Sequence, residues 1–156
     1  MSATVFIDTD LIINSMKEMD SKNPAANATR KQARTILKYL HSTNHPVKIT
    51  SYNLIELYKG AYSSRRVARN IQAVESVVRE TVIIYPGLED AKECARIIVE
   101  LDPRGIKVPV LDLLIASIVI VSGDVLYTRN VQHFQNVPRL HYRNWETEET
   151  PEFQTT

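Results

Sequence analysis

VFIDTDLII, residues 5–13, runs from three apolar residues (Val5, Phe6, Ile7) into two acids, Asp8 and Asp10, and returns to apolar residues at Leu11. A short apolar run that stops at a charge reads as a buried strand, and the apolar positions that resume behind it read as the inner face of a helix. The two acids therefore stand where a strand hands over to a helix. In open parallel sheets that place, the carboxyl end of a strand, is where ligands bind.

The rest of the chain repeats the pattern. VKIT (47–50) reads as a second strand, with Ser51 capping a helix through YNLIELYK that Gly60 ends. TVIIY (81–85) reads as a third strand, VLYT (125–128) as a fourth and LHYR (140–143) as a fifth. Between them, helices are predicted over about 10–18, 29–41, 64–80, 88–101 and 110–121, with DSKNPAANA (20–28) as a loop. On the helix over 88–101 the inward stripe is read as Ala91, Cys94, Ala95, Ile98 and Leu101. VLDLLIASIVIV (110–121) is apolar nearly all round and is expected to be a central buried helix. Strands alternating with helices predict an α/β domain: a central, mostly parallel sheet of four to five strands flanked by helices on both faces.

The chain has 156 residues and 44% hydrophobic residues, enough for one domain with a core. One cysteine, Cys94, excludes a disulfide framework and a cysteine zinc site. No apolar run reaches membrane-spanning length and the N-terminus lacks a signal-peptide pattern, so a cytoplasmic protein is expected. The charge is unevenly spread. Residues 146–156 carry four acids (Glu146, Glu148, Glu149, Glu152) and no base, leaving residues 1–145 with 19 bases against 14 acids. The expected division is a folded domain over 1–145 and a disordered acidic tail over 146–156. Lys59, Arg65, Arg66, Arg69 and Arg79 face only Glu75 in the same interval, a basic stripe that could follow a phosphate backbone or merely be a solvated helix face.

Two more acids lie where a charge is costly. Glu56 sits in the helix that begins after the second strand, and Asp112 sits early in the all-apolar helix. Each alone has an ordinary explanation: Asp8 as a helix cap, Glu56 as a surface residue, Asp112 as a first-turn acid facing the helix dipole. Together on one sheet edge, three carboxylates suit a hard cation such as Mg²⁺ or Mn²⁺, whose usual work is phosphoryl chemistry.

FIDTDLII, ITSYNLIELYKG, VPVLDLLIASIVI and LYTRNVQHFQNVPRL followed by NW resemble, in order, the successive motifs of PIN-domain nucleases, and most of all the VapC-type toxins of toxin–antitoxin pairs. The resemblance spans about residues 4–145. It implies a PIN-like fold in which Asp8, Glu56 and Asp112 hold one or two Mg²⁺ or Mn²⁺ ions. The family often has a fourth acid after the last strand; here Asn130 stands in that place, without a charge. Thr9 and Thr128 fall at the edge of the implied site. The resemblance also implies endonucleolytic cleavage of RNA, with Lys59, Arg65, Arg66 and Arg129 steering or clamping the backbone. Neutralisation by a small cognate antitoxin and a homodimeric state belong to the same expectation. If an antitoxin binds, the expected seat is the groove between the helices of 51–80 and the helix near Asp10. His133 is read as structural or exposed.

Two alternatives compete. A degenerate domain of this kind would bind RNA or protein without catalysis. A haloacid-dehalogenase-type phosphatase would use Asp8 as nucleophile and Asp10 as acid/base, but it leaves Glu56 and Asp112 unexplained.

Overall fold

Short runs rich in apolar residues become the strands of one sheet, and those of β1 and β2 are closed by the helix caps Asp8 and Thr50. The computed structural model describes residues 4–44 and 46–148. Among them lie five strands: β1 (Val5–Ile7), β2 (Val47–Thr50), β3 (Val82–Ile84), β4 (Val125–Tyr127) and β5 (Tyr142–Arg143). The helices are α1 (Thr9–Met16), α2 (Pro24–Ser42), α3 (Ser51–Tyr62), α4 (Val67–Glu80), α5 (Leu88–Leu101), α6 (Val110–Ser122) and α7 (Val131–Phe134). The sheet order is β3-β2-β1-β4-β5 and every pairing is parallel. In β1, Val5 and Ile7 face the cluster built with α1 to α4, while Phe6 faces the cluster built with α5 to α7. That alternation is the two-residue period of a strand with both faces covered.

The α/β expectation holds, and several boundaries differ. The helix predicted from Thr29 begins at Pro24, because the Asn23 side chain accepts from the Ala26 amide and proline is well suited to the first helical turn. Gly60 does not end α3; the helix runs on to Tyr62 and buries Ala61, which offsets the roughly 1 kcal/mol that a mid-helix glycine costs. The cap of α3 is Thr50 rather than Ser51, in a reciprocal box in which Asn53 accepts from the Thr50 amide. On α5 the buried face is Glu93, Cys94, Ile97 and Leu101, whereas Ala91, Ala95 and Ile98 are exposed. Three consecutive apolar residues, Ile97 to Val99, leave the phase of that helix undetermined by pattern alone. α6 is buried along its middle but exposes Val110 and Val121 at its ends. The single turn α7 has no counterpart among the predicted helices.

Residues 146–148, assigned to the tail, are tied to the body. Glu146 and Glu148 pair with Arg129 and Arg143, and the Gln32 side chain donates to the Trp145 and Glu148 carbonyls. The remaining tail, 149–156, lies outside the described residues. No helix among the described residues is long and apolar enough to cross a membrane.

Candidate metal-dependent site

Strand order reverses at β1: the chain steps from β1 to β2 and β3 on one side, then returns to place β4 on the other. The crevice beyond the carboxyl ends of β1 and β4 is thus the topological switch point. Ile7 and Tyr127 pair across it, the Asp8 amide donates to the Tyr127 carbonyl at 2.9 Å, and Asp8 and Thr128 continue the two strands.

Asp8 is the N-cap of α1 and is 6% exposed. Its Oδ1 accepts from the Thr9 amide at 2.9 Å and from Asn53 Nδ2 at 3.5 Å, and its Oδ2 accepts from Thr128 Oγ1 at 2.7 Å. Burial is the largest influence on this carboxyl; the Thr128 and Thr9 donors act against it, and the charges of Asp112 and Asp10 add to it, so that its pKa is pushed up to about 6. Glu56, one turn into α3 from the capping box, accepts from Thr9 Oγ1 at 3.1 Å. Its pKa is raised by burial first and then by the Asp8 charge. Asp112 lies in the first turn of α6, 2.7 Å from His133 Nδ1, and burial raises its pKa against that contact.

One chain of hydrogen bonds joins the three acids. Asn53 Nδ2 donates to Thr9 Oγ1 at 3.0 Å, and Thr9 Oγ1 donates on to Glu56. On the other side Thr128 Oγ1 donates to Asp8 and accepts from the Asn130 amide at 3.0 Å, while the Asn130 side chain lies 2.6 Å from His133 Nδ1. Asp8, Thr9, Asp10, Glu56, Asp112, Arg129 and Asn130 line a cleft of about 330 Å³. Among the described residues no three His, Cys, Asp or Glu side chains already stand as a metal-binding group; the carboxylates surround the cleft instead of meeting at a point. The donor set nevertheless suits a hard cation. All three acids offer oxygen, and hydroxyl, amide and imidazole groups, with no Arg or Lys, are what hold them among the described residues.

The other sequence-derived residues divide. Asn130 lines the cleft with its side chain engaged at His133. Arg129 is at the rim, held by Asp10 at 2.7 Å and Glu146 at 2.9 Å and lying over the Trp145 ring. Lys59 and Arg65 are exposed, outside the cleft, and Arg66 lines a second cavity. Asp10 also accepts from Asn14 Nδ2 at 2.9 Å, so both its oxygens are taken and the phosphatase role of free acid/base does not suit it. Asn53 shapes the site and is not among the sequence candidates, while His133, expected to be structural or exposed, is half-exposed and bonded to Asp112 and Asn130. Asn53 could have been found from the Thr50-x-x-Asn53 capping spacing. His133 had no local signal, since its partner Asp112 is 21 residues away.

No family model matches the chain. Ribonuclease VapC1 of Haemophilus influenzae is 26% identical over 139 residues, covering 89% of this chain and 96% of that protein. The tRNA(fMet)-specific endonuclease VapC of Salmonella typhimurium is 29% identical over 97 residues, covering 62% of this chain and 74% of that protein. Among solved structures, VapBC-1 from nontypeable Haemophilus influenzae superposes with a TM-score of 0.72 at 25% identity, covering 91% of this chain and 98% of the matched one. With its parallel sheet, its acids in order at the switch point and these relatives, the chain is similar to PIN-domain proteins of the VapC type.

Proposed function

We propose that this protein is a Mg²⁺- or Mn²⁺-dependent endoribonuclease and the toxin of a VapBC-type pair, acting in the cytoplasm as a homodimer. The observation that carries the reading is the placement of Asp8, Glu56 and Asp112 around one cleft, with no Arg or Lys side chain hydrogen-bonded to any of the three among the described residues. Asp8, Glu56 and Asp112 would hold the ion or ions. A bound hard cation would supply an activated water and neutralise charge developing on the phosphate.

The chain's own residues do the rest. Thr128 and the Thr9 amide fix the Asp8 carboxylate from both sides, so its orientation is set before substrate arrives. Thr9, itself held by Asn53, orients Glu56. Asn130 offers an uncharged amide where a further acid would add repulsion. Arg129, with its guanidinium at the cleft rim, is placed to meet an RNA phosphate, and Lys59, Arg65 and Arg66 supply the wider positive field.

A separate cavity of about 490 Å³ lies between α1, α3 and α4. Ile13, Met16, Leu57, Ala61 and Val74 make its apolar walls, with Lys17, Glu18, Arg66 and Arg69 on the rim. That groove is the seat we assign to the antitoxin. Gly60→Arg, on the exposed wall of that groove with open space around it, should block the complex while sparing cleavage.

The test is cleavage of a total-RNA pool by wild type and Asp8→Asn in Mg²⁺, Mn²⁺ and EDTA. Discrete cuts that vanish in EDTA and in the variant support the reading and name the substrate. Wild type that cuts nothing with either metal, yet binds RNA equally well with and without EDTA, would establish the non-catalytic alternative.

A further inference from the structure

We propose that His133 is a positioning residue of the cleft: through an Nδ1–H donated to Asp112 Oδ2 and shared with the Asn130 amide, it locks the first turn of α6 to the segment that follows β4. The inference rests on the cation-dependent reading above and adds to it a residue outside the acidic set.

The contact defines its own proton. Asp112 as a carboxylate can only accept, so the 2.7 Å approach of His133 Nδ1 requires the hydrogen to sit on Nδ1. The Asn130 amide lies 2.6 Å from the same nitrogen. With the proton on Nδ1, that amide accepts through its oxygen, an end-for-end turn of the planar group that leaves its place unchanged. An Asp at 130 would bring a further negative charge to a cleft where Asp8 already feels Asp112 and Asp10. An uncharged acceptor beside an imidazole N–H avoids that repulsion.

His133 is well placed to act as a rigid bracket. Its neighbour Phe134 is fully buried in the cluster packed on α6, which pins α7. The Asn130 amide donates to Thr128 Oγ1, and Thr128 Oγ1 donates to Asp8 Oδ2. One bonded path therefore runs from Asp8 through Thr128, Asn130 and His133 to Asp112, fixing two carboxylates from different elements relative to each other. Partners that orient ligating side chains in this way typically govern metal affinity by about tenfold or more.

The experiment uses the full chain in four forms: wild type, His133→Ala, His133→Asn and His133→Gln. Asparagine places an amide N–H near the position of Nδ1, whereas glutamine reaches toward that of Nε2. Two readouts are taken. Imidazole ¹⁵N NMR of the metal-free wild type at alkaline pH reports which ring nitrogen carries the proton, with Asp112→Ala as comparison. Calorimetric titration with Mn²⁺ gives affinity, thermal melts confirm that each variant is folded, and cleavage of the RNA identified in the total pool separates KM from kcat.

The expected result is an Nδ1–H tautomer that is lost in Asp112→Ala. With it should come Mn²⁺ affinity about tenfold weaker in His133→Ala, recovered by His133→Asn and not by His133→Gln, and a fall in kcat at constant KM. A wild-type ring protonated on Nε2 alone overturns the proposal, and this readout needs no variant to fold. Unchanged Mn²⁺ affinity in His133→Ala, or equal rescue by glutamine, overturns it and leaves the nuclease reading standing. A wild type that binds no Mn²⁺ overturns both.

Discussion

Two carboxylates in this protein are almost equally buried and behave in opposite ways. Glu93, on α5, is 5% exposed, and Asp8, at the end of β1, is 6% exposed. Burial pushes the pKa of each upward. At Glu93, hydrogen bonds from Arg139 at 2.8 Å and Arg96 at 2.7 Å, with their charges, outweigh burial and hold the carboxyl below its ordinary range. At Asp8 the donors are a hydroxyl and amides, the nearby charges are other acids, and the pKa ends near about 6. The first arrangement is internally complete: the acid and its bases balance, and nothing from outside is wanted. The second keeps an excess of negative charge, which the cation we propose for this cleft would offset. Burial of an acid therefore says little until its partners are known.

The largest expected effect separates the two regions by what they lose. Asp8→Asn should cut RNA cleavage by roughly 10²–10³-fold, the scale of removing one electrostatic element of transition-state stabilisation, with no loss of thermal stability. Glu93→Gln should leave cleavage intact but destabilise the fold. A broken buried pair costs about 3 kcal/mol or more, but Arg96 and Arg139 are largely solvated, so about 1–2 kcal/mol is expected in denaturant melts.

The pH dependence should differ in sign. Asp8 is raised from 3.8 to about 6, so the metal-free folded state binds more protons than the unfolded state between those values. Stability from this group is thus fully present below pH 4 and is lost as pH rises toward and through 6, by roughly 2–3 kcal/mol. Glu93 has a lowered pKa, so its contribution is present above the ordinary glutamate range and is lost on acidification. Urea melts across pH should show the loss on the neutral side shrink in Asp8→Asn, leaving the part due to Glu56 and Asp112, and the loss on the acid side shrink in Glu93→Gln. Saturating Mn²⁺ should also remove the neutral-side loss.

Smaller effects sharpen the picture. Thr128→Val removes the hydroxyl that donates to Asp8 Oδ2, and Mn²⁺ affinity by calorimetry should fall about tenfold. Arg129→Ala releases Asp10 and Glu146 at the exposed rim. Its stability cost should stay within about 1 kcal/mol, while KM for RNA rises severalfold in steady-state cleavage.

The contrast between the two regions also marks what could be read from residues alone. β1, β2 and β4 were legible because each apolar run stops at a residue with a reason to stop, and the three acids stood out because they follow or open such elements. Sequence placed Glu93 on no inward face at all: the stripe was drawn through Ala91, Ala95 and Ile98, and the guanidiniums that let Glu93 turn inward come partly from Arg139, 46 residues away. Arg139 itself adopts a left-handed backbone, φ 65°, that no local pattern announces. His133 is structural and half-exposed as expected, but its partner was no more legible than those of Glu93, because Asp112 lies on another element. The start of α2 was hidden by Asn23-Pro24, which reads as a break yet serves as a cap. What was legible was local periodicity and punctuation; what was not was pairing across the fold.

The most direct test of the central claim, that the cleft at the switch point is a cation site while the Glu93 cluster is not, is calorimetric titration of metal-free protein with Mn²⁺. Saturable binding by wild type, the same affinity in Glu93→Gln, and loss of binding in Asp8→Asn are expected. Equal affinity in wild type and Asp8→Asn, or no binding by wild type, would contradict that claim.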